Sequence, residues 1–488
     1  MKKWVLGLGG AVLALGGVVA VRTATFAPGA VADGSAIKVA PLAPFDNQLA
    51  AQHLGQAVRF QTVSNQDPAQ NQTGEWDKLH AWLATTYPKA SAAMQQEQLG
   101  QTLVYTWPGS DPAAQPIIVM AHQDVVPVTP GTEQDWKYQP FAGTIAEGAV
   151  WGRGTVDDKG SLVALFEALE ALAAQGFKPT RTIYLVSGHD EEVGGTGAAA
   201  AAKLLAARKV KALFTIDEGG LITTDTPVIN APAMMIGVAE KGYATLRITA
   251  PAAGGHSSMP PAEIGTVNLA KAVVAINDNQ FPLELRGPAA AMVEVLGAKA
   301  GGMTKVAVAN RWLLGGLVTR QMGQNPSSAA SLHTTIAPTM LQGSPKENVL
   351  PQSATALINY RIAPWDSSAK VLERARAAVG NLPVKVDFTE RKPSEPSPVS
   401  SSTALGWQLI VAAAQAGHPG MIASPYLVVA GTDSKHMTGV SEDVYRFQAI
   451  ALATGEVKMI HGTNEHMTLA NLESLIAFYT RLLATAAG

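Results

Sequence analysis

Short apolar runs alternate with longer amphipathic segments along the first half of the chain. The apolar runs lie at residues 117–120, 182–186 and 212–216, and the amphipathic segments lie at 162–174 and 198–207. Short apolar runs between helical segments are typical of strands in a mostly parallel sheet that is covered on both faces. In such sheets ligands bind at the carboxyl ends of the strands. We therefore predict an α/β domain with a mostly parallel central sheet and a functional site at that edge.

The pattern changes after residue 241. Predicted strands lie at 244–248, 334–341, 354–362 and 384–388, and predicted helices lie at 264–276 and 369–379. The resulting order, βαββαβ, is that of a compact two-layer α+β unit of ferredoxin-like type. Two further helices, predicted at 405–416 and 469–486, complete the first domain.

These patterns predict a domain inserted into another domain. Residues 44–241 and 392–488 form the first and second parts of a catalytic domain, and residues 242–391 form an inserted lid or dimerisation domain. Residues 281–330 of the insertion are unusually apolar. We interpret this stretch either as the wall of an acyl-binding channel or as the ordinary packing of a longer lid helix.

The first residues of the chain have the features of an export segment. Lys2 and Lys3 precede an apolar run at 4–21, which is long for a signal-peptide core and short for a spanning helix. We therefore predict that residues 1–22 are a signal peptide or a membrane anchor, and the alternative is a buried N-terminal helix. Residues 23–43 are predicted to be a linker. The prediction implies that the protein is exported to the periplasm or the extracellular space. There it is either secreted or held in the membrane by the N-terminal segment, with no other contact with the membrane.

Composition and charge exclude several classes of protein. The chain has 488 residues, of which 47% are hydrophobic and 15% are charged, so a disordered chain is excluded. The formal net charge of -2 argues against a nucleic-acid partner. There is no cysteine, which excludes disulfides and thiolate chemistry. Any metal site must therefore use His, Asp and Glu.

Side chains of the kind that bind metals follow the predicted strands of the first domain. They lie at 122–124, 157–158, 189–192 and 217–218, and His461 or His466 supplies a further imidazole. Unpaired acids gathered at one edge of a sheet repel each other unless cations neutralise them. Imidazole and carboxylate ligands without sulfur suit zinc, cobalt or manganese, and a pair of metals needs a bridging carboxylate. The sequence therefore predicts a metal site at this edge.

Seven segments of the chain together resemble one known family. They are Ala-His-Gln-Asp-Val-Val-Pro at 121–127, Gly-Arg-Gly-Thr-Val-Asp-Asp-Lys at 152–159, Gly-His-Asp-Glu-Glu at 188–192, Asp-Glu-Gly-Gly at 217–220, Gly-His-Ser-Ser at 255–258, Gly-Thr-Asp-Ser at 431–434 and His-Gly-Thr-Asn-Glu at 461–465. In this order they resemble the M20 metallopeptidases, and within them the branch of carboxypeptidase S and the N-fatty-acyl-amino acid synthase/hydrolases.

The resemblance implies a role for each residue of the predicted metal site. It makes His122 and Asp217 ligands of one zinc ion, Glu192 and His461 ligands of a second, Asp157 the bridge, Glu191 the general base and Asp124 the residue that orients His122. Two zinc ions are the implied cofactors, with cobalt or manganese as substitutes. The family also has a cis bond at the position of Asp157 and Asp158, and it uses only the first of the two late histidines.

Further implied residues lie near or within the predicted insertion. In the family the histidine matching His256 reaches the active site of a partner subunit, which implies a homodimer formed through the lid domain. From the residues alone, the loop around His256 is read first as a turn with a helix cap through Ser257 or Ser258. Arg361 and Gly431 match positions that bind the substrate carboxylate, and Asn348 matches a further polar contact.

The leading hypothesis is therefore a di-zinc amidohydrolase. It would cleave N-acyl amino acids, including N-fatty-acyl ones, to a carboxylic acid and a free amino acid, in a reversible reaction. The alternative within the family is an exported carboxypeptidase or dipeptidase that acts on short peptides with a free carboxylate. A binding protein without turnover is a third hypothesis, against which the intact Glu191 argues. A serine hydrolase is disfavoured because no Gly-x-Ser-x-Gly segment is present.

Overall fold

The computed structural model describes residues 2–226 and 228–488, with side chains from Val12 onwards. It divides into two compact units. The large unit comprises Pro28–Val238, Ser400–Tyr426 and Thr432–Gly488, and the small unit comprises residues 1–27, Ala239–Val399 and Leu427–Gly431. The predicted boundary at 241 lies three residues from the main division at 238, and the predicted boundary at 391 lies eight residues from the division at 399.

The helices of the described residues are numbered in chain order. They are α1 (Lys2–Ala24), α2 (Asn47–Val58), α3 (Gly74–Thr86), α4 (Pro88–Ala93), α5 (Lys159–Ala174), α6 (Thr196–Ala207), α7 (Gly265–Asp278), α8 (Gly287–Lys299), α9 (Gly302–Ala309), α10 (Arg311–Met322), α11 (Pro326–Ala329), α12 (Ser368–Val379), α13 (Leu405–Gln415) and α14 (Leu469–Ala487).

The strands are numbered in the same way. They are β1 (Gln95–Leu99), β2 (Thr102–Trp107), β3 (Ile117–Met120), β4 (Thr144–Ala146), β5 (Ala149–Trp151), β6 (Ile183–Ser187), β7 (Ala212–Asp217), β8 (Leu221–Thr226), β9 (Ala231–Glu240), β10 (Gly242–Pro251), β11 (Gly255–His256), β12 (Thr335–Gln342), β13 (Val349–Leu350), β14 (Ser353–Ile362), β15 (Lys385–Phe388), β16 (Ile422–Val428), β17 (Ser441–Arg446), β18 (Ala451–Leu452) and β19 (His466–Thr468).

A mixed sheet forms the centre of the large unit. Its order in the described residues is β1-β2-β6-β3-β7-β17-β9-β8-β18, with β16 paired to β9. The strands β6, β3, β7 and β17 run parallel, and the pairs β1-β2, β2-β6, β17-β9 and β8-β9 are antiparallel. The α/β class is confirmed, and the parallel strands form the middle of the sheet.

The middle strands of the sheet are buried, in agreement with their parallel arrangement. All four residues of β3 and all six of β7 are buried, as expected for strands that are covered on both faces. Helix α5 buries most of its residues, and it packs with α2, α4 and α14 in the main apolar core. A sheet covered in this way presents polar groups to solvent only at its edges and at the ends of its strands.

The small unit contains the predicted α+β arrangement. Its antiparallel sheet has the order β12-β14-β10-β15, and α7 and α12 contact it to form a separate apolar core. Between β11 and β12 the chain forms α8, α9, α10 and α11, which the periodicity did not locate. The first helix, α1, contacts α9.

The segment predicted as a linker packs in part against the large unit. The backbone N–H of Ala32 donates to the carbonyl of Ser402 at 3.0 Å. The Trp407 indole donates to the carbonyl of Ala32 at 2.8 Å, and the N–H of Ala40 donates to Thr485 Oγ1 at 3.0 Å. These contacts fix residues 32–40 on the surface of the unit.

Export and anchoring stay predictions. Met1 lies outside the described residues, as do the side chains of 2–11, so much of the apolar run is not described at side-chain level. Of the helices that the structure does describe, none combines the length and the apolar character needed to cross a bilayer.

Candidate metal centre and active site

The predicted site residues of the large unit follow adjacent parallel strands. His122 and Asp124 come after β3, Glu191 and Glu192 come after β6, and Asp217 is the last residue of β7. Since β6, β3 and β7 are neighbours and run parallel, their carboxyl ends meet at one edge of the sheet. The backbone therefore brings ligands from three strands together.

Asp157 lies between two histidines. His122 Nε2 is 2.8 Å from Asp157 Oδ1, and His461 Nε2 is 3.0 Å from Asp157 Oδ2. His461 Nε2 also lies 3.1 Å from Glu192 Oε2. One carboxylate that offers a separate oxygen to each imidazole has the form expected of a ligand bridging two cations.

A group of three residues fulfils the geometric condition for holding one ion. In the described residues, ligand atoms of His122, Asp157 and Glu192 all lie within 4.8 Å of one another. Asp217 lies outside this group, and its Oδ2 accepts a hydrogen bond from the backbone N–H of Ser434 at 2.9 Å. The bond between Asp157 and Asp158 is cis, as the family resemblance implies.

Asp124 connects the ligands of two strands. Its carboxylate lies 3.3 Å from His122 Nδ1, which also contacts the Asp124 carbonyl at 3.0 Å. The same carboxylate accepts hydrogen bonds from Ser64 Oγ at 2.6 Å and from the backbone N–H groups of Glu191 and Glu192 at 3.1 Å each. It therefore fixes the His122 ring and the two glutamates in one network, as a partner of a metal ligand does.

A buried ion pair that the sequence interpretation missed joins two loops of the site. Arg153 Nη1 lies 2.7 Å from Glu465 Oε2, and Arg153 Nη2 donates to the carbonyls of His461 and Gly462 at 3.1 and 2.9 Å. Glu465 Oε1 accepts from the N–H groups of Gly154, Val156 and Asp157 at 3.0, 2.9 and 3.2 Å. The pair thus ties the loop of Asp157 to the loop of His461. The only sequence signal was that both residues stand within the family motifs.

The acids of the site are held in an electrostatically unfavourable arrangement. Burial raises the pKa of Glu192, and the neighbouring Asp157 raises it further. Burial also raises the pKa of Asp217 and, well above its usual range, that of Glu191, where Asp433 and Glu192 add to the rise. Hydrogen bonds to Asp157 and Glu192 raise the pKa of His461 to about 10. A cation bound among these groups would relieve the repulsion between the acids.

The residues present fit a metal of the zinc type. Glu192 Oε1 is buried and has no hydrogen-bond partner in the described part of the chain, so one ligand atom of the group is left unsatisfied. The donors are imidazole nitrogens and carboxylate oxygens, which suit zinc, cobalt or manganese. Asp124 supplies the partner that orients a ligating histidine. The chemistry of the donor set thus agrees with metal binding.

We expect zinc to stabilise the fold more strongly as the pH rises from about 5 to about 8. Because folding raises the pKa of the two assigned ligands Glu192 and Asp217, their protonated forms stabilise the metal-free protein at low pH. That contribution is lost as the pH rises through the raised values, while the deprotonated groups become free to bind the ion. Thermal unfolding with a chelator or with zinc across this range measures the effect.

Magnesium serves as the control ion for this pH experiment. We expect it to raise the melting temperature less than zinc does, because magnesium prefers an all-oxygen site. A zinc-induced rise in melting temperature that stayed constant with pH, or was largest at pH 5, would contradict the assignment of these ligands.

The other predicted residues lie in the small unit. His256 is exposed on β11 opposite Val349, and Ser257 N–H donates to the carbonyl of Asn348 at 3.2 Å. A hollow of about 650 Å³ is lined by His256 and Asn348 among others. The alternative of a helix cap through Ser257 or Ser258 is not observed, because α7 begins only at Gly265. Ser258 instead contacts His256 Nδ1 through its hydroxyl at 2.8 Å.

Arg361 and Gly431 occupy different settings. Arg361 lies on β14 in register with Tyr243 of β10, and its guanidinium is 5.0 Å from the centre of the Tyr243 ring. Gly431 lies in the loop that follows β16.

His466, the second late histidine, stacks on Trp151 with the ring centres 4.2 Å apart and contacts the Asn464 carbonyl at 2.8 Å. The contacts of His466 are thus with an aromatic ring and the backbone.

Comparisons with known proteins agree with this geometry. Residues 118–485 match the model of "Peptidase family M20/M25/M40". A similar curated protein is the N-fatty-acyl-amino acid synthase/hydrolase PM20D1.1 of Danio rerio, which is 35% identical over 453 residues, covering 91% of this chain and 86% of the relative. The probable carboxypeptidase S-like 2 of Dictyostelium discoideum is 32% identical over 440 residues, covering 89% and 84%.

Solved structures share the fold at lower sequence identity. The M20 family metallo-carboxypeptidase Sso-CP2 from Sulfolobus solfataricus is 17% identical, with a TM-score of 0.67 over 89% of this chain and 98% of that one. At this identity the likeness concerns the fold.

Proposed function

The chain belongs to peptidase family M20/M25/M40 and is a metallohydrolase of that family, and on this premise we propose that it hydrolyses the amide bond of N-acyl amino acids. The products are a carboxylic acid, including a fatty acid, and a free amino acid, and the reaction is reversible. The names of the Danio rerio relative and of a Homo sapiens relative, the N-fatty-acyl-amino acid synthase/hydrolase PM20D1, support this substrate class.

One observation carries the catalytic part of the proposal. Asp157 offers one oxygen to His122 and the other to His461, and Glu192 contacts His461. Asp217, at the end of β7, completes the implied ligand set. Two zinc ions held by these residues would polarise the substrate carbonyl and make a water molecule acidic enough to ionise near neutral pH.

Glu191 supplies the proton transfer. Burial raises the pKa of Glu191 well above its usual range, which suits a group that must gain and then lose a proton near neutral pH. Its carboxylate accepts the proton of the attacking water and later delivers it to the departing amine. Asp124 positions Glu191 by accepting its backbone N–H.

Residues of the small unit bind and polarise the substrate in this proposal. The Arg361 guanidinium has the planar fork that pairs bidentately with a carboxylate, and Asn348 and Gly431 supply further contacts. His256 donates a hydrogen bond to the oxyanion that forms during attack, and in a homodimer it would do so in the partner subunit. Its exposure on β11 is compatible with a role outside its own unit.

Export of the protein to the periplasm or extracellular space is part of the same proposal.

A second candidate function is peptide hydrolysis at a free carboxyl terminus. The match to a probable carboxypeptidase S-like protein favours it. The chemistry of bond cleavage is the same, and the two candidates differ in whether an apolar acyl chain or a charged amine precedes the scissile amide.

Release of free amino acid from a matched panel separates the two candidates. The panel contains long-chain and short-chain N-acyl forms of phenylalanine and leucine beside dipeptides with the same C-terminal residues. We expect chelator-sensitive cleavage of the acylated compounds that zinc restores. Cleavage of dipeptides alone would replace the proposal by the peptidase function, and no cleavage by zinc-loaded protein would contradict both.

A further inference from the structure

Helix α10 of the small unit has an unusual surface. None of its residues is buried, although its sequence contains Trp312, Leu313 and Leu317. These three side chains are 55%, 46% and 60% exposed, and Met303 at the start of α9 is 76% exposed. A surface helix of a soluble protein normally turns such residues toward its core. Within the part of the chain described, this helix instead directs them to solvent.

The first helix adds to the same surface. Asn310, at the junction of α9 and α10, donates to Thr23 Oγ1 at 3.0 Å, and the Arg22 guanidinium lies 6.0 Å from the centre of the Trp312 ring. Leu13 of α1 is 79% exposed, and Val12, Val18 and Val21 are also exposed. We call the large exposed apolar residues of α1, α9 and α10 the basic apolar surface: Val12, Leu13, Leu15, Val18, Val21, Met303, Trp312, Leu313 and Leu317.

Charge distinguishes this surface from an ordinary apolar patch. The sequence has no Asp or Glu from residue 1 to 32 or from 295 to 346. Among the residues with described side chains, the same helices and their flanks carry Arg22, Lys299, Lys305, Arg311 and Arg320, of which Arg311 pairs with Glu294 of α8. The basic residues therefore outnumber the acids here in a chain whose overall charge is close to balance.

We propose that the basic apolar surface docks onto the face of an anionic phospholipid bilayer. Exposed Trp and Leu side chains with Lys and Arg beside them are the composition of a helix that lies in the bilayer interface. The basic side chains attract anionic headgroups, and the indole of Trp312 suits the boundary between headgroups and acyl chains. This docking is independent of the proposed amide hydrolysis.

The test measures how the full chain partitions onto vesicles of phosphatidylglycerol and phosphatidylcholine. The test variant is Trp312→Gln/Leu313→Gln/Leu317→Gln, which keeps good helix formers on α10. The control variant is Leu49→Gln/Ile145→Gln/Leu405→Gln, which removes three exposed apolar residues from the large unit. We expect the test variant to bind about tenfold more weakly or worse, the control to bind as the parent does, and salt to weaken the parent's binding.

A second measurement locates Trp312 itself. Vesicles with brominated acyl chains should quench part of the parent's tryptophan emission, and Trp312→Phe should lower that quenching while it retains binding. Equal partition of the test variant and the parent would overturn the proposal, because α1 alone would then account for binding. A change of oligomeric state in the test variant with unchanged vesicle binding would also overturn it and would identify the surface as a protein interface.

Discussion

Replacing Glu191 by glutamine should lower kcat on an N-acyl amino acid by about a thousandfold, because general acid–base catalysis typically contributes 10²–10⁴-fold. Glutamine has the same shape and leaves the backbone N–H of residue 191 bound to Asp124. It cannot take a proton from water or return one to the amine. The bound zinc should stay unchanged, and metal analysis of the purified variant beside its kinetics checks both halves of the expectation.

The adjacent glutamate provides a matched control. Glu192→Gln removes a carboxylate that contacts His461 at 3.1 Å, so this variant should lose metal as well as activity. Restoration by excess zinc should raise the activity of Glu192→Gln and leave Glu191→Gln inactive. A Glu191→Gln enzyme that hydrolysed as fast as the parent would rule out Glu191 as the proton carrier.

Replacing Arg153 by methionine should destabilise the fold by about 3–5 kcal/mol, the range for breaking one side of a buried ion pair. Arg153 and Glu465 are both buried, and the variant leaves the Glu465 carboxylate without its cation. It also frees the carbonyls of His461 and Gly462 from their donor. Urea unfolding measures the loss, and weaker zinc binding should accompany it because the loop of His461 is then less firmly held.

A surface ion pair of the same kind serves as the reference. Arg208 pairs with Glu97 at 2.6 Å, with the two side chains 40% and 38% exposed. Arg208→Met should change stability by less than about 1 kcal/mol, since exposed pairs contribute little. If both variants lost the same stability, the special position assigned to Arg153 and Glu465 would be wrong.

In the small unit, several helices and strands could be predicted from the spacing of apolar residues. The predicted strand at 354–362 is observed as Ser353–Ile362, and the predicted helix at 369–379 as Ser368–Val379. Both are regular amphipathic elements that cover a core of their own, so the local pattern of apolar residues carries the information needed to locate them.

Elements whose form depends on distant partners were not located. Strand β9 ends in a run of buried residues and pairs with β8, β16 and β17. An apolar run of this length is equally compatible with a buried helix. Helix α10 has apolar residues without a buried face. Residues 32–40 lack periodicity because single hydrogen bonds to remote residues fix them.

The site divides in the same way. Ligand-type residues at the ends of strands could be predicted, because parallel strands deliver their carboxyl ends to one edge, and the M20 resemblance on which their roles were carried over is confirmed. The contacts of Glu465 with Gly154, Val156 and Asp157 span about 310 residues of sequence. No local sequence pattern predicts that Glu465 is the carboxylate that accepts hydrogen bonds from these backbone N–H groups.

Zinc titration of the metal-free protein shows whether catalysis needs two metal ions. The chelator-stripped full chain is mixed with increasing zinc, and the release of free amino acid from a long-chain N-acyl amino acid is followed at each step. We expect negligible activity without metal and a rise that ends at about two equivalents per chain. Full activity in the stripped protein, or a plateau at one equivalent, would contradict a di-zinc amidohydrolase.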